Sequence, residues 1–554
     1  MELFKQPAQR ALKIIALIFL SATSPVLAQQ LPIIQATATV VNIQDGNVFQ
    51  KGVWNLSPEV KFDTYTVLAP LAVKKVVFYT NIDSISFTVM PGKVYDFIVL
   101  LNGKDSCFTR ISALYPKPAA EIQLTPTTLI PVEKLRNDFD LFRETIQKVH
   151  PGLYRYKNKA ELDRIFSNNF ALLNHDMNQF NFGKIVMTVV SAVEDGHTST
   201  NLPRLLVKYY EDHDKLFPIP LYLREGHAYV ICDELKGLSP ATEILAINGH
   251  PISAIQQAMF ALLPGDGKIT TKKRHIINEG AFPILYQLIY GDGNSFLVQY
   301  KTTMGKVANY TISARFVKDF PCEPRLETSS STDLEFKLLQ KGTALLKIRS
   351  FEMNRVGGRD NFRAFLDSNF SKVRSMNIEH LIVDVRDNGG GDDDLGAWLY
   401  SYLADKPFNY YRSINRTDGV AINKAHPNLQ LQQPNSLNFK GDCYFLINGR
   451  SFSTTSEFCS IAKSNNRGSF IGEETGGGYY GDTSGEELKL ALPNSGITIM
   501  IPKIKYTLEV HQTVFKDRGV IPDYTLIPTI LDVLAGKDVQ LNFAMRLTNL
   551  AAKK

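Results

Sequence analysis

An apolar run that stops just short of a serine constrains this chain more than any other feature. Cys443-Tyr-Phe-Leu-Ile447 reads as a buried strand ending in Asn448-Gly449. A short turn reaches Ser453, and from there Phe458, Ile461 and Ala462 recur at i, i+3 and i+4 as on one face of a helix. Such a serine has two readings. As a helix N-cap its hydroxyl accepts from a first-turn amide. As a nucleophile it is held by the strand and faces amides that have no intrahelical partner and so can stabilise an oxyanion.

The surrounding residues read as an α/β domain over 330–535. Strands 343–348, 381–385, 443–447 and 468–471 alternate with helices 360–375, 394–404 and 454–465, as in βαβ units. Ligand sites in such sheets gather at the carboxyl ends of the strands. Ser453 falls at one such end and the loop Asn388-Gly-Gly-Gly391 at another. Glycine permits close backbone approach, so an amide at Gly390 is a candidate oxyanion donor together with the amide of Thr454. The other reading of the glycines is a tight turn into the next helix. A candidate base lies far upstream: His197, in Glu194-Asp-Gly-His-Thr198, follows a helical region at a break where a side chain can be aimed into a cleft.

These segments, with His150-Pro-Gly-Leu-Tyr154, Gly472-Glu-Glu-Thr475 and Asp517-Arg-Gly-Val-Ile-Pro-Asp523, resemble the carboxy-terminal-processing (tail-specific) and tricorn-like serine proteases in order and spacing over about 133–535. The interphotoreceptor retinoid-binding protein modules belong to the same family. The resemblance implies a ClpP/crotonase-like catalytic core and Ser453 as nucleophile. The tail-specific branch takes as base a lysine 25 residues past the serine; here that residue is Gly478. The resemblance therefore points to the histidine-base branch, with His197 as base. That branch links its histidine through a preceding serine to a distant glutamate. Here the serine position is Gly196, the glutamate position is Lys516, and Asp517 beside it is the candidate orienting acid, with Asp195 and Glu473 as rivals. Aligning the run Ser453-Thr-Thr-Ser-Glu457 from its glutamate selects Thr454 as nucleophile instead.

The rest of the chain frames this core. Among 554 residues, Lys5, Arg10 and Lys13 precede the apolar run Ile14–Leu20, and Val26-Leu-Ala28 follows as a cleavage site. This is the pattern of a signal peptide over 1–28, too short in its apolar part to span a bilayer. It predicts export to the periplasm or the extracellular space. Residues 29–125 read as a β-sandwich accessory domain, with alternating strands and Pro91-Gly92 and Asn102-Gly103 turns. A helical part over 133–205 follows. Residues 215–315 are β-rich around Ile244-Leu-Ala-Ile-Asn-Gly249, which the resemblance casts as a PDZ-like module; a plain β-rich insert is the other reading.

Net charge is +6, with no Lys/Arg block of the kind nucleic-acid binding requires. No metal or nucleotide motif is present, so no cofactor is expected. Asp392-Asp-Asp394 reads as the start of a helix, where acidic residues favour the dipole. Five scattered cysteines do not make a disulfide framework, though one bridge is compatible with an oxidising compartment. The expectation is an exported serine endopeptidase acting on polypeptide, without cofactor or membrane span. The alternatives are a catalytically inactive relative that binds peptides or apolar ligands, and an esterase using the same pair.

Overall fold

A computed structural model describes seven strands between Gln35 and Ser112 and, after them, residues 125 and 127–551 except 233–236 and 323–331. The expected signal peptide lies outside the described residues. The chain divides into two units, Met1–Ala113 and Leu114–Lys554. In the first, the strands form two antiparallel sheets. Their side chains lie outside the description.

The second unit is a mixed α/β assembly. Its central sheet has six strands in the order Leu334–Gln340, Thr343–Ile348, His380–Asp384, Asp442–Ile447, Ser469–Gly472 and Tyr524–Thr525. The first pair is antiparallel and the others are parallel. Both faces are covered, which is why these strands read as continuous apolar runs. Leu381, Val383, Cys443, Phe445 and Ile447 point to helices Arg359–Ser375, Asp393–Ser401 and Thr454–Ser464 through Phe362, Leu366, Leu399, Phe458 and Ile461. Ile382, Tyr444, Leu446 and Ile471 point the other way, to Ala544 of helix Val539–Ala551. The antiparallel edge strand, the short strand 524–525 and this last helix were not anticipated. The core therefore runs past 535.

Helices Val132–Val149, Lys159–Phe170 and Gln179–Ala192 bury Phe139, Phe142, Phe166 and Val186 against Leu490, Ile497, Ile499 and Ile501. The latter come from the hairpin Thr483–Ala491/Thr498–Leu508, so the helical part packs on residues some 300 positions away in sequence. Directly after the helices, Ser199–Asn201 adds to the same hairpin as an antiparallel strand.

Residues 216–315 form a six-stranded antiparallel sheet with Glu243–Ile247 at its centre. Three helices, Ile252–Phe260, Thr271–Ile276 and Phe282–Tyr290, lie between its strands. The β-rich reading had not placed them. Ile252, Ile255 and Met259 give the first its buried stripe. A disulfide, Cys232–Cys322, joins residues just outside this sheet, while Cys443 and Cys459 are free and buried. No described helix is long and apolar enough to cross a membrane.

Candidate active site

Ser453 opens helix Thr454–Ser464 but does not cap it: its side chain makes no capping bond, and its backbone has φ 54° and ψ −131°. A positive φ is costly for a residue with a Cβ and persists only where packing imposes it, at about 1–3 kcal/mol. What the backbone accomplishes is direction. Ser453 Oγ lies 3.1 Å from Nε2 of His197. Ser451, two residues earlier, anchors the turn by donating to Val385 O at 2.8 Å and accepting from Asn448 N–H at 3.1 Å.

His197 reaches this point because both flanks of its loop are tied. On one side Ser199–Asn201 is zipped to Thr498–Met500. On the other, Asp195 Oδ1 accepts from the backbone N–H groups of His197 (2.9 Å) and Thr198 (2.8 Å) and from the Thr198 hydroxyl. Thr483 donates its hydroxyl to Asp195 Oδ2. The His150-Pro-Gly segment supports this carboxylate. Gly152 N–H donates to His150 Nδ1 at 3.0 Å, which leaves Nε2 to donate to Thr198 Oγ1 at 2.9 Å, with Asp195 Oδ2 at 3.6 Å. Burial lowers the His150 pKa, with Asp195 opposing the shift. Asp195 is also buried, but His150 and His197 more than offset that and hold its carboxyl below the usual value.

The expected donors divide. Gly390 N–H is occupied by Asn388 Oδ1 at 3.0 Å. That amide is therefore engaged, and the expectation that Gly390 itself donates is corrected. The residue matters for what it lacks: with φ 100°, an added Cβ would sit 2.7 Å from Ser453 Cβ and 3.0 Å from Thr454 N. The N–H groups of Gly391 and Thr454 have no protein partner among the described residues. The Thr454 hydroxyl donates to Gly391 O at 2.7 Å, locking the glycine loop to the helix.

The candidate acids are not brought to the imidazole. Asp517 makes no bond with His197; its carbonyl accepts from Lys268 N–H at 2.8 Å. Asp195 holds backbone rather than ring. Glu473 pairs with Arg274 (2.9 Å) and His275 (2.7 Å). Burial opposes its ionisation, yet these two bonds hold its pKa at about 2. His197 Nδ1 is buried without a hydrogen-bond partner among the described residues. Asp482 is the nearest carboxylate, 3.9 Å from Nε2, on the serine side of the ring; burial raises its pKa to about 6.

Three site residues had escaped the reading of the sequence. Asp266, in Pro264-Gly-Asp-Gly267, accepts from Gly196 N–H at 2.6 Å and from Gly478 N–H at 2.9 Å, so it joins the histidine loop to the loop beyond the serine helix. Arg155 is buried, donates to Gly481 O at 2.6 Å, and supplies positive charge near Asp195, Asp266 and Asp482. Lys272 lies beside the pair, with Nζ donating to Gly196 O at 2.8 Å. The Gly-Asp-Gly turn was the one available signal for Asp266; nothing local marked Arg155 or Lys272. The triple aspartate lies at the start of helix Asp393–Ser401, where Asp394 pairs with Arg359 at 2.6 Å.

Residues 342–526 match the family model of peptidase family S41. Over these residues the chain is similar to peptidase family S41. That is a family of serine-type peptidases, and polypeptide is the substrate class this implies. Mature CPAF complexed with lactacystin is similar in fold, with a TM-score of 0.51 and 13% identity over 76% of this chain and 98% of that one. Mature CPAF alone gives 0.51 and 14% over 76% and 97%. No curated protein sequence matches the chain. The S41 match contains Ser453, Gly390 and Gly478, whereas His197, Asp195 and Asp266 lie upstream of it.

Proposed function

We propose that this chain is an exported serine endopeptidase of the Ser–His type. Ser453 attacks the scissile carbonyl while His197 takes its proton and later returns it to the leaving amine. The backbone N–H groups of Thr454 and Gly391 receive the oxyanion. One observation carries this reading. The Ser453 hydroxyl leaves the helix it opens uncapped, in a strained backbone, and meets His197 Nε2 at 3.1 Å. A structural cap has no reason for that geometry. Gly478 at the expected lysine position further favours the imidazole as base.

The sheet of residues 216–315 is read as a PDZ-like module that holds extended polypeptide by strand addition. The strands of 35–112 are read as an accessory β-sandwich. Export rests on the basic and apolar pattern of residues 1–28, and the Cys232–Cys322 bridge suits an oxidising compartment.

The test is reaction of the full-length protein with a fluorophosphonate probe, followed by peptide mapping. An adduct on Ser453 and cleavage of labelled casein are expected. A protein that forms no adduct and cleaves nothing is a binding relative, and the reading fails.

A further inference from the structure

An imidazole that accepts a proton from serine has to be held with Nε2 on the hydroxyl, and a carboxylate on Nδ1 commonly does this. Among the described residues His197 has no such partner. Its ring is instead stacked on Phe452, with centroids 4.5 Å apart and planes inclined by 27°. Phe452 immediately precedes Ser453 and is itself fixed by its N–H donating to Asn388 O at 3.1 Å. The ammonium of Lys272 lies 3.4 Å from the centroid of the same Phe452 ring and donates to Gly196 O at 2.8 Å. One lysine therefore grips the residue before the histidine and the residue before the serine.

The space around this stack is closed. A Cβ on Gly196 would sit 2.8 Å from Phe452 Cε2 and 3.1 Å from Asp266 Oδ1. Gly196 is thus the residue that lets the phenyl ring reach the imidazole, and no side chain at 196 can relay a bond to the histidine. Helix Thr271–Ile276, which carries Lys272, is pressed against the serine loop: a Cβ on Gly449 would lie 2.7 Å from Thr271 O. Further along the same helix, Arg274 and His275 are pinned by Glu473.

We propose that Phe452 and Lys272 are positioning residues for the base. Phe452 fixes the plane of the His197 ring by stacking, and Lys272 clamps Phe452 to Gly196, together replacing an orienting carboxylate. A cation over an aromatic face is attracted to the ring, so the clamp holds without a hydrogen bond to the imidazole. The proposal rests on the Ser453–His197 reading. Lys272 has a second effect. The charged groups facing His197 are Asp195 on its own loop, Asp266 from the turn before helix Thr271–Ile276, Asp482 and Glu487 from the C-terminal hairpin, and Lys272. The carboxylates favour the imidazolium and Lys272 disfavours it.

The experiment measures kcat and KM on labelled casein across pH for full-length Phe452→Leu, Phe452→Tyr and Lys272→Met, with melting temperatures alongside. Phe452→Leu is expected to lower kcat about ten- to hundredfold with KM little changed, the penalty of a misaligned base. Phe452→Tyr, which keeps the stack, should retain most of the rate. Lys272→Met should lower kcat and move the rising limb of the pH profile upward, because a positive charge beside the imidazole has gone. A merely structural role moves neither the limb nor kcat at constant KM. Wild-type kcat in a folded Phe452→Leu, or an unmoved limb in Lys272→Met, overturns the proposal; should Phe452→Leu not fold, the limb of Lys272→Met alone decides. Absence of a fluorophosphonate adduct on the wild-type protein sinks the functional reading, and the clamp with it. An adduct with unaffected variants sinks the clamp alone.

Discussion

His197 Nε2 and Ser453 Oγ are 3.1 Å apart across 256 residues of sequence. The base comes from the helical part and the nucleophile from the α/β core. The strand Ser199–Asn201, laid on Thr498–Met500, brings one to the other. The site is therefore a property of the assembled unit 114–554, and residues 330–535 alone should fail to cleave casein. Activity of that fragment at the full rate would remove His197 from the mechanism.

Ser453→Ala should abolish cleavage, by several orders of magnitude, with the melting temperature little changed. The hydroxyl makes no cap bond, so alanine forfeits none of the roughly 0.5–2 kcal/mol a true N-cap supplies. His197→Ala should cost nearly as much and the double variant little more, since the two act as one unit. Thr454→Val should lower the rate modestly through the lost bond to Gly391 O. A dead Thr454→Val with an active Ser453→Ala would shift the nucleophile by one residue.

The pH profile tells the base apart from its neighbour. Burial lowers the His197 pKa below its ordinary value, only partly offset by Asp195 and Asp266. The base works when neutral, so the rate should rise with pH through a midpoint below about 6.5. Burial also brings the ammonium of Lys272 down to about 8. A rising limb near pH 8 in the kcat/KM profile would make Lys272 the base.

Asp266→Ala should lower both stability and kcat. It removes two bonds from a buried carboxylate, to Gly196 N–H and Gly478 N–H, where charge-assisted bonds contribute about 1.5–3 kcal/mol each. The relief of repulsion from Asp195, which raises the Asp266 pKa in addition to burial, offsets part of this. Asp266→Asn should fall between, since its oxygen can serve one amide while its NH2 opposes the other. Thermal melts and casein kinetics on both variants check the order.

Cys232 and Cys322 are 90 residues apart and close a loop that contains part of the six-stranded sheet. The chain-entropy relation gives such a crosslink up to about 4–5 kcal/mol. Cys232→Ser/Cys322→Ser should melt lower than the oxidised protein and be insensitive to dithiothreitol. Equal melting of wild type with and without reductant would show that the bridge contributes nothing.

What could be read from the sequence was local or periodic. The buried strands 381–385 and 443–447 declared themselves by unbroken apolar runs, and helix 454–464 by its 3.6-residue spacing, because a strand covered on both faces and an amphipathic helix each impose their own pattern. The strand, turn and helix around Ser453, the glycine loop and the break at His197 were legible for the same reason. Burial partners were not. That Gly390 N–H is consumed by Asn388, that Asp517 stays away from the imidazole, and that Asp266, Lys272 and Phe452 enclose it depend on contacts between segments tens to hundreds of residues apart. No periodicity encodes such contacts, and only the close packing of three parts of the chain decides them. Sequence determined that Ser453 stands at the end of a strand; tertiary structure decided which base it meets and what holds that base in place.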